Sequence, residues 1–272
     1  RISTVMPPIW KNTATLDALV PELAEPVEPA RAELLVLGSK PVDLTDFPAA
    51  RGLFKCGVGV DNVPFEACAA RGIAVGLPGE GTREVIFDET ANFATHLILQ
   101  MAYAEVGDLA AWQKFPRSRL NDRTALLLGV GNIGTRVRER LRPMMRVVSY
   151  DAREDSPTSL EPRMREADVV SIHLPLTEAT RGFLDGTRLG WLRDGAAVVN
   201  TARGPVVDEQ ALLAEVQRGR LRAAFDVFWK EPYYGPLRAF HPHHFFMTPH
   251  VASTCTAFVE GLAADFRAFA AD

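Results

Sequence analysis

The chain has 272 residues, 47% of them apolar and 24% charged, with a net charge of −4 and an isoelectric point near 5.9. This is globular composition at a length that suits two domains or one large one, and the mild acidity excludes a broad basic field for nucleic acid or an anionic membrane. Any anion site must therefore be local. The three cysteines, Cys56, Cys68 and Cys255, are an odd number without C-x-x-C spacing, which fits a reducing compartment. No apolar run approaches the ~18 residues of a membrane-spanning helix, and no signal-peptide pattern opens the sequence. A cytoplasmic location is expected.

In chain order, "ISTVMP" (2–7) reads as a strand, and the Pro/Glu-rich "PELAEPVEPARAE" (21–33) as a loop. "ELLVLGS" (33–39), "LFKCGVG" (53–59) and "IAVGL" (73–77) read as further strands. A long helical periodicity follows over 87–113, the best candidate for a helix crossing between domains. After the basic link "PRSRLNDR" (116–123) comes a second strand series: "TALLLGV" (124–130), "RVVSYD" (146–151), "ADVVSIHL" (167–174), "GAAVVNTA" (195–202), "RAAFDVF" (222–228) and "FFMTPH" (245–250). Helical stretches separate most of them. Continuous Val/Leu/Ile strands between helices imply α/β architecture with a parallel sheet covered on both faces. The amphipathic segment 256–272 is expected to fold back on the first domain.

The sharpest local signal is "LLLGVGNIGTRVRERL" (126–141). A buried strand runs into Gly129-x-Gly131-x-x-Gly134 and then into a helix. Gly129 permits the tight turn, Gly131 lets the backbone approach a pyrophosphate, and Gly134 lets helix and strand pack closely. Alone the pattern is weak. Here the next strand ends at Asp151, about 20 residues on, where a ribose diol would be bound. Asp151 favours NAD over NADP because its carboxylate repels a 2′-phosphate, although Arg153 stands two residues away and can accommodate one.

Ligands of open parallel sheets bind at the carboxyl ends of the strands. His173, Arg203, Asp226 and His250 all stand there, and Glu231 follows shortly. A nicotinamide enzyme acting on a 2-oxo or 2-hydroxy acid needs a fixed cation for the carboxylate and carbonyl, which arginine supplies bidentately. It also needs a proton donor, for which histidine is suited, and a carboxylate to orient the imidazole and favour its charged form. Arg203, His250 and Glu231 fit these roles. Each alone is an ordinary surface residue; together on a dinucleotide fold they form a catalytic set. The histidines of "HPHH" (241–244) have no Cys or carboxylate spaced to complete a metal site, so no metal is expected.

Six motifs in order, "GVGVDN" (57–62), "LLLGVGNIG" (126–134), "HLPLTEATRG" (173–182), "NTARGPVVDE" (200–209), "FDVFWKEP" (225–232) and "TPHVAS" (248–253), resemble the D-isomer-specific 2-hydroxyacid dehydrogenases, a family that includes phosphoglycerate dehydrogenases and glyoxylate/hydroxypyruvate reductases. The resemblance implies two Rossmann-like parallel-sheet domains with a cleft between them. One is a flavodoxin-like substrate domain, 1–90 completed by 254–272, and the other an NAD-binding Rossmann domain, 91–253. It implies hydride transfer between NAD(H) and C2 of a small D-2-hydroxy or 2-oxo acid, mainly as a 2-ketoacid reductase.

The resemblance also carries roles over residue by residue. Arg203 holds the substrate carboxylate, and Glu231 with His250 is the acid/base pair. Asp226 holds the nicotinamide carboxamide. Asn132 and Ile133 meet the pyrophosphate, Thr201 and Ala202 line the nicotinamide side, and His173, Leu174, Pro175 and Thr180 border the adenosine half. Val58 and Gly59 cap the substrate carboxylate. A homodimer is implied, although the link 112–124 that builds it in relatives is short here.

Three departures stand out. At the expected interdomain hinge, "GEGTREVIFDET" (79–90), Thr82 replaces an Asn and Phe87–Asp88 an Ala–Glu. Lys55, before "CGVG", is a candidate cation for a phosphorylated or second acidic group, or else a solvated strand-edge lysine. Trp229, Tyr233 and Tyr234 either shape a pocket mouth or only pack. A rival reading of the same fold is an NAD-sensing binding protein, corepressor-like, with little turnover.

Overall fold

A computed structural model of the chain describes residues 6–104 and 106–271. In chain order its elements begin with β1 (Ile9–Lys11), β2 (Leu34–Leu37), β3 (Gly52–Lys55), α1 (Phe65–Ala70), β4 (Ala74–Gly76) and α2 (Glu80–Ala102). A short hairpin of β5 (Gly107–Asp108) and β6 (Gln113–Lys114) follows, then β7 (Thr124–Leu128), α3 (Asn132–Leu141), β8 (Arg146–Tyr150), α4 (Leu160–Glu166) and β9 (Val169–Ile172). The chain continues through α5 (Gly186–Trp191), β10 (Ala197–Asn200), α6 (Glu209–Gln217), β11 (Arg222–Phe225), β12 (Phe245–Met247) and α7 (Thr256–Ala271). It divides into two compact units, one made by the described residues up to Ile86 with those from Ser253 on, the other by Phe87–Ala252. Among the described residues no helix is long and apolar enough to cross a membrane.

The first unit is a four-stranded parallel sheet in the order β1-β2-β3-β4. Successive side chains point to opposite faces, and both faces are covered. Leu34 and Val36 of β2, with Phe54 of β3, meet Leu262 and Phe266 of α7 on one face; Leu35, Leu37 and Leu53 meet Phe47, Cys68 and Ile73 on the other. The C-terminal helix thus packs on this sheet. A flavodoxin-like sheet would place a further strand outside β1. Among the described residues none lies there, because the Pro-punctuated stretch 13–31 forms turns and two short 3-10 helices, Pro21–Leu23 and Pro29–Arg31. The strand read at 2–7 falls mostly on residues 2–5, outside the described residues; the first described strand is Ile9–Lys11.

The second unit is a six-stranded parallel sheet in the order β12-β11-β10-β9-β7-β8. The chain leaves β7 for β8 on one side, then crosses to β9 on the other. This reversal between β7 and β9 is the topological switch point at which open sheets bind ligands. Alternation again divides the strands: Leu126, Leu128, Val170, Ile172 and Val198 enter one core, Ala125, Leu127, Val169 and Val199 the other.

The long helix differs from its sequence expectation. It runs Glu80–Ala102, beginning earlier and ending earlier than 87–113. Beyond its end, local turn chemistry replaces the helical pattern. The Asp108 carboxylate accepts from the backbone N–H groups of Ala110 (2.8 Å) and Ala111 (3.1 Å), and a Cβ at Gly107 would lie 2.5 Å from the Gln113 carbonyl oxygen. Asx-turn and glycine geometry therefore override a helical pattern and give the β5–β6 hairpin. At the other end the expected hinge segment 79–90 is helical from Glu80 on. Buried Thr82 lies where a Cβ on Gly261 would meet its hydroxyl at 2.6 Å, and Phe87 packs beneath the Arg136 guanidinium, 5.4 Å from the ring centroid. Both departures are packing choices.

Candidate active site

The glycine loop is built as its spacing requires. Gly129, at the end of β7, has φ +92°, and a Cβ there would lie 2.9 Å from the His173 carbonyl oxygen that follows β9. A Cβ on Gly134 would lie 2.2 Å from the Gly129 carbonyl oxygen, so α3 and β7 pack at a distance only glycine allows. Gly131 is different: a Cβ there meets nothing within 4 Å. The protein leaves that space open, in front of the N-terminus of α3, where Asn132 and Ile133 stand. A cradle lined by backbone N–H groups at a helix start is what a pyrophosphate requires. A second fit lies at the end of β10. Thr201 is 8% exposed, and its buried hydroxyl has no hydrogen-bond partner among the described residues. A cofactor amide would supply one. The residues present therefore suit a dinucleotide.

Asp151 ends β8 beside this loop. Its Oδ2 accepts from the Val130 N–H (3.2 Å), and Arg153 reaches both oxygens, Nε to Oδ1 at 2.8 Å and Nη2 to Oδ2 at 2.6 Å. The Arg153 guanidinium holds the Asp151 carboxyl far below the usual carboxylate range.

His173 follows β9, and its Nε2 lies 3.0 Å from Ser171 Oγ. Leu174, Pro175 and Thr180 continue the loop. The Thr180 hydroxyl is spent inside it, accepting from the Thr177 N–H (2.8 Å) and donating to the Pro175 carbonyl (2.6 Å). Burial pushes the His173 imidazole down to about 4. The unfolded chain takes up a proton near pH 6.5 that the folded chain refuses until about 4, so this contribution is whole above about 6.5 and is lost as pH falls. Between about pH 7 and pH 5 the wild type should lose of order 1–2 kcal/mol that His173→Gln does not, read as the change in urea midpoint.

The catalytic candidates come from three adjacent strands. Arg203 stands past β10, Asp226 and Glu231 past β11, and His250 past β12. The structure brings Glu231 and His250 into direct contact, Oε2 to Nδ1 at 2.9 Å, while Oε1 accepts from the Phe228 N–H at 3.1 Å. The carboxylate is held by its own loop and in turn holds one imidazole nitrogen. Arg203 is placed by a residue that spacing does not reveal. Buried Asn200 accepts from the Ala202 N–H (3.0 Å) and donates to the Arg203 carbonyl (2.8 Å), closing the turn at both ends.

Gly204 then lets the two loops meet. A Cβ there would lie 2.1 Å from the Phe228 carbonyl carbon and 2.5 Å from the Trp229 nitrogen. Both are backbone atoms and cannot rotate away. Gly204→Ala should therefore displace the Phe228–Glu231 segment, costing about 1–3 kcal/mol of stability and most of the activity. Equal urea midpoints and equal rates in the two proteins would refute this account.

Two residues expected to meet ligands also have protein partners. Asp226 is fully buried; its Oδ1 accepts from Thr248 Oγ1 (2.6 Å) and the Val251 N–H (2.9 Å), its Oδ2 from the Ala252 N–H (2.8 Å). Its carboxylate holds the loop that carries His250, and Oδ2 accepts one of these donors. Burial pushes its carboxyl up, against the pull of these donors and of His250. Lys55, in the first unit, is 3% exposed and donates to the Gly38 carbonyl, which Asn62 also engages at 2.9 Å. It is not a solvated lysine. The chain after it, with Val58 and Gly59, leaves β3 through Gly57 at φ +125°.

Trp229 and Tyr233 belong to the second unit's core. The Trp229 indole donates to the Val207 carbonyl (2.7 Å), and Tyr233 stacks on Phe228 and donates to Glu209 (2.7 Å); Tyr234 is exposed. Among the described residues no group of three His, Cys, Asp or Glu is placed to hold a metal.

The sequence model described as "D-isomer specific 2-hydroxyacid dehydrogenase, NAD binding domain" matches residues 93–252. The chain is 32% identical over 220 residues to a hydroxypyruvate reductase of Thermotoga maritima, covering 75% of this chain and 71% of that one. It is 33% identical over 237 residues to a glyoxylate reductase of Aeropyrum pernix, covering 77% and 69%. Among solved structures, D-lactate dehydrogenase of Aquifex aeolicus complexed with NAD and lactic acid has the same fold, with a TM-score of 0.74 at 22% identity over 95% of this chain and 92% of that one. The chain belongs to the D-isomer-specific 2-hydroxyacid dehydrogenases, and its second unit carries that family's NAD-binding domain.

Proposed function

We propose that the chain is an NADH-dependent reductase of a short, unphosphorylated 2-oxo acid, forming the D-2-hydroxy acid. The observation that carries this reading is the Glu231–His250 pair, 2.9 Å apart, beside the turn that presents Arg203. Gly129–Gly134, Asp151, the 173–180 loop and Thr201–Ala202 would hold NAD, which in its reduced form would supply the hydride for C2. Arg203 binds the substrate carboxylate and stabilises the negative charge that develops on the 2-oxygen. Protonated His250, whose Nδ1–H is held by Glu231, leaves Nε2 to give its proton to that oxygen. Oxidation of the hydroxy acid runs the same proton back onto Nε2.

The first unit is the substrate domain in this reading, with Val58 and Gly59 as its carboxylate contacts. Lys55 favours an acid without a phosphate, because its ammonium is buried against the Gly38 carbonyl. The relatives named as hydroxypyruvate and glyoxylate reductases point to acids of that size. The test is NADH oxidation against glyoxylate, hydroxypyruvate, pyruvate and 3-phosphohydroxypyruvate. Turnover on the first three above the fourth is expected; preference for the phosphorylated acid would overturn the substrate assignment, and no turnover on any would overturn the reaction.

We place the enzyme in the cytoplasm, on the three free cysteines, and assign it a homodimer. The dimer is supported by the β5–β6 hairpin, where Leu109 and Trp112 are 81% and 80% exposed and Val106 and Phe115 add to the same apolar surface. Leu109→Ser with Trp112→Ser should convert a dimer to a monomer by light scattering, with near-UV dichroism unchanged apart from the lost indole.

A further inference from the structure

We propose that the dinucleotide site accepts NADP(H) as well as NAD(H), with Arg153 as the ligand of the 2′-phosphate. This rests on the same reading of Gly129–Gly134 and Asp151 as the nucleotide site. An aspartate at the end of the second strand excludes NADP by repelling the phosphate. That exclusion needs the carboxylate's charge to face the ribose uncompensated. Here it does not.

Four donors fill the Asp151 carboxylate. Oδ1 takes the Arg153 N–H (3.1 Å) and Nε (2.8 Å); Oδ2 takes the Val130 N–H (3.2 Å) and Arg153 Nη2 (2.6 Å). Two of the four are backbone and fixed. The other two belong to one guanidinium whose side chain is 72% exposed, over a carboxylate side chain that is 9% exposed. A cation thus covers the acid on its solvent side.

Further hydrogen bonds hold the loop. The Asp151 N–H donates to Asp155 (2.9 Å), and Asp155 is held in turn by Arg163 Nη2 at 2.7 Å. Arg153 uses Nε and Nη2 on Asp151, and its Nη1 donates to nothing among the described residues. A guanidinium has five N–H donors in a planar fork, so it can bridge two anions. With one edge on Asp151 and Nη1 turned to the ribose, Arg153 meets either a 2′-hydroxyl or a 2′-phosphate. Asp151 stays compensated in both cases. Glu154, another charge beside Arg153, raises the guanidinium's basicity.

The test reads the adenosine end alone. Binding of 2′,5′-ADP and of 5′-AMP to the full chain is measured by calorimetry, in the wild type, Arg153→Ala and Arg153→Lys. The two nucleotides should bind the wild type within about tenfold of each other. Arg153→Ala should weaken 2′,5′-ADP by about tenfold or more and 5′-AMP by less than about threefold, with Arg153→Lys between, since it keeps the charge but not the fork. A wild type that binds 2′,5′-ADP more than about tenfold worse than 5′-AMP, or an Arg153→Ala that weakens both equally, overturns the proposal. If neither nucleotide binds, the dinucleotide site itself falls. If both bind as expected but no oxo acid is reduced with NADH or NADPH, this proposal stands and the reaction assignment fails.

Discussion

His250→Ala should lower kcat for oxo-acid reduction by about 10²–10⁴-fold while NADH still binds, because the variant removes the proton donor and leaves the glycine loop and Asp151 untouched. The geometry makes this sharper than a generic loss. Glu231 Oε1 is anchored to the Phe228 N–H, so the carboxylate keeps its place when the imidazole goes. NADH titration by fluorescence separates the two effects. The companion variant, Arg203→Ala, should fall by about 10²–10³-fold and should also raise KM for the oxo acid, since the guanidinium both holds the carboxylate and faces the developing charge. Arg203→Lys should restore little of it, as a point charge cannot hold two oxygens at once. Unchanged turnover in His250→Ala would remove the acid/base assignment altogether.

What the sequence disclosed follows from range. The buried strands from Thr124 to Met247 were legible because continuous apolar runs between helices describe a parallel sheet without further information. The glycine loop was legible because three steric demands, Gly129, Gly131 and Gly134, fall within six residues. Contacts that join distant segments were not. Lys55 reads as a strand-edge cation, yet the Gly38 carbonyl, 17 positions earlier, buries it. Asp226 reads as a ligand contact at a strand end, yet the donors it accepts come from 248–252. The end of α2 is hidden from the sequence for a different reason. Apolar residues at Tyr103, Val106, Leu109 and Trp112 keep a helical period, and only the turn chemistry of Gly107 and Asp108 reveals the hairpin. Periodicity shows where side chains could share a face; it does not show where the backbone has a better local partner.

Asp226→Asn tests how much of the reaction depends on such a contact. His250 has φ +55°, a left-handed backbone that costs a non-glycine residue about 1–3 kcal/mol and persists only where its neighbours hold it. Asp226 is that hold: Thr248 lies two residues before His250, Val251 and Ala252 one and two after, and all three donate to its carboxylate. An asparagine offers one oxygen and one amide. With the amide in place of Oδ2 it faces the Ala252 N–H; turned over, it faces the Val251 N–H. Either way one buried donor loses its acceptor, at about 1–3 kcal/mol, and the strained residue between is free to relax. The imidazole then leaves the 2.9 Å contact with Glu231. The expected result is a fall in kcat of about 10–10³-fold with a small change in the Kd for NADH, because proton transfer fails steeply with misplacement and cofactor binding does not. The imidazole nitrogen shifts of His250 should move with it. The alternative role for Asp226, holding the nicotinamide carboxamide, predicts the opposite division: a weaker NADH complex with kcat kept at saturating cofactor. The kcat-against-Kd division therefore decides whether this carboxylate serves the cofactor or the acid.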